Sequence, residues 1–198
     1  TKAIAQEWRL KAAQGDAAAQ YNLGVMYGQG DGVPQDYKEA AKWFRLAAEQ
    51  GVANAQFNLA HYYQEGKGVP QSQQEAVRWY RLAADQGYTN AQLNLGVIYY
   101  AGQGVPQDYK EAAKWFRLAS ERGLATAQGL LGAMYLSGQG VPQDYKESFK
   151  WSFRAAEQGD AKAQNTLGVL YANGQGVGKD YKEAARWYRL AADQGDAT

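Results

Sequence analysis

Apolar residues recur along this chain at helical spacing. Near the start of the first complete unit, Ala19, Leu23 and Tyr27 fall at i, i+4 and i+8, with Met26 beside them. That stripe predicts a helix over roughly 17–28 and does not fit the alternation of a strand. Over roughly 37–50, Tyr37, Ala40, Phe44 and Ala47 share one face, with Trp43 adjacent, predicting a second helix. Between the two lies Gly30-Asp31-Gly32-Val33-Pro34. Its glycines allow a tight reversal, and its proline stiffens the approach to the second helix.

This pair of helices, A and B, returns every 36 residues without insertion or deletion. Trp43, Trp79, Trp115, Trp151 and Trp187 keep that step, as do Leu23, Leu59, Leu95, Leu131 and Leu167. The pair Ala-Gln recurs five times, from Ala19-Gln20 to Ala163-Gln164, and residues 32–47 return letter for letter at 104–119. The chain therefore divides into a half repeat, 1–15, and full repeats 16–51, 52–87, 88–123, 124–159 and 160–195, all in one domain spanning 1–198. Asp36-x-x-Glu39 marks the start of helix B as a capping box, in which the Glu is expected to reach back to the cap N–H. The pattern returns at Asp108, Asp144 and Asp180, while Ser72 serves as an equivalent cap in the second repeat. Gly51, Gly87, Gly123 and Gly159 close helix B, where a left-handed residue is expected.

Two short helices cannot bury both aromatic faces alone, but stacked pairs can. The expected fold is all-α: a solenoid of helix-turn-helix repeats with a concave and a convex side. Trp115→Ala, in the middle, should then cost about 3–5 kcal/mol. Trp187→Ala should cost far less, because a terminal repeat has fewer neighbours.

Composition narrows the function. Lys and Arg total 21 against 20 Asp and Glu, for a net charge of +1, which argues against nucleic acid or an anionic membrane as the main partner. With no cysteine, there is no disulfide framework, thiol nucleophile or Cys-bound zinc. No apolar run is long enough to predict a membrane-inserted helix. The sequence opens on Thr1 without a signal-peptide pattern. It closes at Gly195-Asp196-Ala197-Thr198 without a polar capping helix. A longer repeat array, a covering partner or end-to-end self-association is expected there.

The spacing Ala19…Leu23-Gly24…Tyr27…Gly30-Asp31-Gly32-Val33…Asp36-Tyr37…Ala40…Trp43-Phe44…Ala47-Ala48…Gly51 resembles the Sel1-like repeat, a relative of the tetratricopeptide repeat. The resemblance covers nearly the whole chain. It implies a right-handed α/α superhelix with helix A lining the concave groove, and a bacterial adaptor or scaffold that binds proteins. A periplasmic or secreted location is favoured over a cytoplasmic one. A cysteine-rich branch of the family is linked to penicillin binding and weak hydrolysis, and other members act as immunity-type inhibitors of effector enzymes. Three departures stand out. Ala60 replaces the Gly after Leu59, Gln73 replaces the Tyr after the cap, and Ser148-Phe149 with Ser152-Phe153-Arg154 alters helix B of the fourth repeat. Local repacking is expected at the last of these.

No catalytic constellation emerges. The Gly-rich loops lie between two helices and recur five times, whereas a phosphate cradle follows a strand and opens a helix. His61 is the single histidine; no Ser or carboxylate partner for catalysis, and no further nitrogen or sulfur ligand for a metal, is evident beside it. The carboxylates repeat as caps and surface charges rather than as one singular pair. No catalytic residue, metal site or cofactor is expected.

Binding is better read from what differs between copies. Positions that stay constant satisfy the fold; those that change are released from it. Four variable positions share one face of helix A, at i, i+3, i+7 and i+10. They carry Asn54 and Asn90; Tyr21, Phe57 and Leu93; His61; and Gln64, Tyr100 and Leu136. Apolar anchors beside amide donors suit a protein or peptide ligand. The alternative is that some of these side chains pack against neighbouring repeats.

Overall fold

The computed structural model describes residues 2–195; Thr1 and the closing residues 196–198, on which the expectation about the chain ends rests, lie outside them. Among the described residues there are eleven helices and no strand. They are α1 (Lys2–Ala13), α2 (Ala17–Gln29), α3 (Tyr37–Glu49), α4 (Ala53–Glu65), α5 (Gln73–Asp85) and α6 (Thr89–Ala101), then α7 (Tyr109–Glu121), α8 (Ala125–Ser137), α9 (Tyr145–Glu157), α10 (Ala161–Asn173) and α11 (Tyr181–Gly195). The half repeat supplies α1. Each full repeat then contributes one helix A and one helix B, within a residue or two of the expected limits. The fold is all-α, of the helical-repeat class.

The chain forms two compact units: residues up to Leu95 with Gln103–Val105, and Gly96–Gly102 with the residues from Pro106 onward. Within the first, α1 through α5 each pack against the next. Within the second, α7 through α11 do the same. Leu23, Leu59 and Leu95 are fully buried in the first unit, and Leu131 and Leu167 in the second. These leucines are the central residues of the helix-A stripe, so the periodicity read from sequence is the core itself.

The caps are half of what the motif predicts. Asp36 Oδ1 accepts from the backbone N–H of Lys38 and Glu39, and Asp108, Asp144 and Asp180 repeat the arrangement. The reciprocal bond from Glu39 is not made. The N–H of Asp36 donates instead to the carbonyl of Tyr27, at 2.9 Å, which closes the whole A–B loop. The same closure joins Ser72 to Tyr63, Asp108 to Tyr99, Asp144 to Tyr135 and Asp180 to Tyr171. Freed from the cap, Glu111 and Glu147 accept from the indole N–H of Trp115 and Trp151, each at 3.0 Å.

The constant Ala-Gln pair carries a buried ladder. Gln56 Nε2 donates to the Ala48 carbonyl at 3.1 Å, and Gln56 Oε1 accepts from Gln86 Nε2 at 2.8 Å. Gln20 and Gln164 repeat both bonds. Each glutamine gives a second donor to a carbonyl near the end of the preceding helix B, which otherwise meets only backbone N–H groups of the closing turn. Gln56→Leu keeps the volume but removes both ladder bonds, leaving the Ala48 carbonyl with only its backbone partners in the closing turn. A loss of about 2 kcal/mol in urea-melt stability is expected; a loss within error of zero would show that water replaces the ladder.

The fourth repeat repacks as expected. Ser148 is fully buried and donates to the Gly132 carbonyl at 2.8 Å. The aromatic bulk moves to Phe149 and Phe153, stacked at 5.8 Å, with Tyr171 and Trp187 edge-on at 5.5 and 6.0 Å. In the earlier repeats an arginine reaches a tyrosine of the next helix A, Arg45 to Tyr63 and Arg117 to Tyr135. Phe153 holds that place in the fourth repeat, and Arg154 lies over Trp151 instead.

Candidate partner-binding surface

The nine residues picked from the variable helix-A face divide between the units. Tyr21, Asn54, Phe57, His61, Gln64, Asn90 and Leu93 lie in the first; Tyr100 and Leu136 lie in the second. In the first unit Asn54 and Asn90 are exposed. Tyr21 is half-buried, with its ring 6.0 Å from Phe44 of α3. Phe57 is half-buried between Tyr80, at 5.6 Å, and Tyr88, at 4.9 Å. Tyr88 is close enough to Tyr21 for the two phenols to interact, and partial burial raises its pKa. Tyr21, Phe57 and Tyr88 thus form an aromatic strip, with Leu93 half-buried on the same helix face and the two asparagines exposed.

Two of the nine are committed elsewhere. Gln64 Oε1 accepts from the Tyr80 hydroxyl at 2.7 Å. Tyr80 is fully enclosed, and burial pushes its pKa to about 12, so it remains a donor. His61 does have a carboxylate partner, contrary to the sequence reading: Glu65 Oε1 lies 3.2 Å from its Nε2, one helical turn on. Glu65 in turn pairs with Lys67. This is a surface ion-pair chain with no nucleophile in it. Among the described residues, no three His, Asp or Glu side chains converge as a metal site would require. In the second unit Leu136 packs into the cluster around Leu170 and Trp187. Tyr100 is 37% exposed, rests on Tyr109 at 5.0 Å, and donates its hydroxyl to Gln139 at 3.1 Å.

Two participants were passed over by the sequence reading. Tyr88 holds a place filled elsewhere by Asp16, Val52, Leu124 and Asp160; Tyr62 holds one filled by Met26, Ile98, Met134 and Leu170. Both positions vary between copies as freely as the four chosen, which is the signal that would have found them. Tyr62 is buried, edge-on to Phe44 at 5.4 Å and to Tyr37 at 6.0 Å. It faces a pocket of about 230 Å³ in the first unit that Val25, Gly28, Asn58 and Lys67 also line. Burial raises the Tyr62 pKa, with Tyr37 adding to the effect.

These features define a helical-repeat protein. The Sel1 repeat model matches residues 17–52, 53–88, 89–124, 125–160 and 161–196, and the chain belongs to that family. Protein binding is the family's typical role. A solved structure of c5321, a protective antigen of uropathogenic Escherichia coli strains displaying the same repeat fold, is 43% identical with a TM-score of 0.90. The match covers 96% of this chain but only 41% of that protein. A Sel1 repeat protein from Oxalobacter formigenes is 38% identical over 92% of this chain and 75% of its own, with a TM-score of 0.86. An immunity protein from Pseudomonas aeruginosa, 20% identical over 96% of this chain and 72% of its own, shares the fold with a TM-score of 0.51. A comparison with curated protein sequences found no match. No described helix is long and apolar enough to cross a membrane.

Proposed function

We propose that this chain is a non-catalytic interaction scaffold that binds a protein or peptide on the variable face of its A helices. The reading rests on one contrast. The buried helix-A leucines, the helix-B caps and the closing glycines repeat almost without change, while Tyr21, Phe57 and Tyr88 interrupt the repetition on a single surface, flanked by exposed Asn54 and Asn90. Aromatic side chains that keep part of their surface in water, beside unspent amide donors, are what a protein interface uses as anchors. The near-neutral charge supports a mixed polar and apolar ligand rather than a polyanion.

Phe57 and Tyr21 are poor probes, because each also packs against its own unit. Asn54→Arg and Asn90→Arg are cleaner. Both sites are exposed, so each change should leave the melt within about 0.5 kcal/mol of the parent. Placed in an interface, an unmatched cation should weaken binding by roughly tenfold or more. The test is affinity capture with the parent chain, followed by calorimetric titration of the purified captured protein against both variants. Unchanged affinity for both would refute the proposed face.

A further inference from the structure

The pocket of the first unit has a counterpart in the second, two repeats on, and there it is filled. Gly28 corresponds to Tyr100, Tyr37 to Tyr109, Asn58 to Leu130, Tyr62 to Met134 and Lys67 to Gln139. In the second unit the Tyr100 ring lies on Tyr109 and its hydroxyl ends on Gln139. The first unit keeps the ring platform, Tyr37, and places Lys67 where Gln139 stands, but Gly28 supplies no side chain. Tyr62 takes the deeper part of that room. Its hydroxyl approaches so closely that a Cβ at position 28 would lie 2.5 Å from it. The outer part stays open, about 230 Å³, walled by Val25, Asn58 and Lys67. An aromatic ring fits such a space, since an apolar cavity of about 150 Å³ accepts benzene.

We infer that this pocket receives the phenol side chain of a tyrosine from the bound protein, its ring against Tyr37 and its hydroxyl accepting from Lys67. The inference rests on the scaffold reading and adds the chemistry of one anchor. Tyrosine is favoured over an acidic side chain because Lys67 is already neutralised by Glu65, which leaves a donor without an unpaired charge. It is favoured over phenylalanine because the wall offers polar groups, Asn58, Lys67 and the Tyr62 hydroxyl, that a bare ring would leave unmet. None of Gly28, Tyr62 and Lys67 recurs in another copy, so the site is singular in an otherwise periodic surface.

The probe is N-acetyl-tyrosinamide, titrated into the full ¹⁵N-labelled chain, with the phenylalanine and glutamate analogues as parallel arms. Saturable amide shifts are expected at Gly28 and Lys67. The tyrosine compound should bind about three- to tenfold tighter than the phenylalanine one, the ratio one net hydrogen bond supports. Lys67→Ala should erase that ratio while the melt stays unchanged. Three results would each overturn the assignment: no saturable shift at the pocket, equal binding of the tyrosine and phenylalanine compounds to the parent, or tighter binding of the glutamate compound. The two readings fail separately. If the probe fails while Asn54→Arg still releases the captured protein, the pocket assignment falls and the scaffold stands. If the probe binds while both arginine variants retain that protein, the pocket assignment stands and the proposed Asn54–Asn90 face falls.

Discussion

Gly140→Ala is expected to lose about 2–5 kcal/mol, a large effect for the addition of one methyl group. Two costs add at this residue. Its φ of +72° is left-handed, which costs a residue with a Cβ about 1–2 kcal/mol. A Cβ there would also collide with the backbone carbonyl of Tyr109, in the first turn of the preceding helix B. Overpacking of that kind costs about 1–3 kcal/mol, and here the obstacle is main chain that cannot rotate away. The loop of one repeat is thus clamped on the helix of the repeat before it. Gly159→Ala is the control. Its φ is +92°, yet nothing lies within 4 Å of the new methyl, so only the conformational cost of about 1–2 kcal/mol remains. Urea melts of both variants separate the terms, and equal losses would mean that the approach between repeats is not tight.

Trp115→Ala is expected to lose about 3–5 kcal/mol. The ring is only 3% exposed, its N–H donates to Glu111 at 3.0 Å, and Lys114 lies over its face at 5.2 Å. The structure changes the comparison drawn from position in the chain. Trp187 is as deeply enclosed, at 5% exposure, because Phe153 and α10 cover it. Trp187→Ala should therefore cost nearly as much, not far less. Among the tryptophans of the five full repeats Trp43 alone is half-buried, and Trp43→Ala should be the mildest of the three. Thermal melts rank them; a Trp43 variant as damaged as the Trp115 variant would contradict this order.

Most of the fold was legible because a 36-residue period is visible without any neighbour in view. Leu23 and its copies, the Asp caps and the closing glycines each act through local geometry or through a repeated contact, and both leave a periodic trace. The half of the capping box that failed shows the limit. Asp36 and Glu39 have the right spacing, but the cap N–H had already gone to Tyr27 across the loop. A competitor nine residues away is invisible to a four-residue motif. His61 and Glu65 show the same weakness at shorter range: one helical turn sufficed to pair them, and the sequence reading looked for a catalytic partner instead of a neighbour.

The proposed binding face was less legible. Variation between copies picked out Tyr21, Phe57 and Tyr100 as departures from the repeated pattern. It did not show that Gln64 is held by Tyr80, that Tyr88 completes the aromatic strip, or that Tyr100 lies down on Tyr109. Those outcomes depend on which side chain reaches a shared space first.

The order of residues alone settled the helices, their ends and the repeating core, since backbone conformation and burial period are set within a few turns of the chain. Packing alone decided which non-repeating side chains are spent inside and which keep a face to water. That choice depends on volume and hydrogen-bond competition between residues about half a repeat to one repeat apart, and no local pattern encodes it. Gly28 is the plainest instance: a single absent side chain in sequence, and a pocket only once Tyr62 and Lys67 are brought beside it.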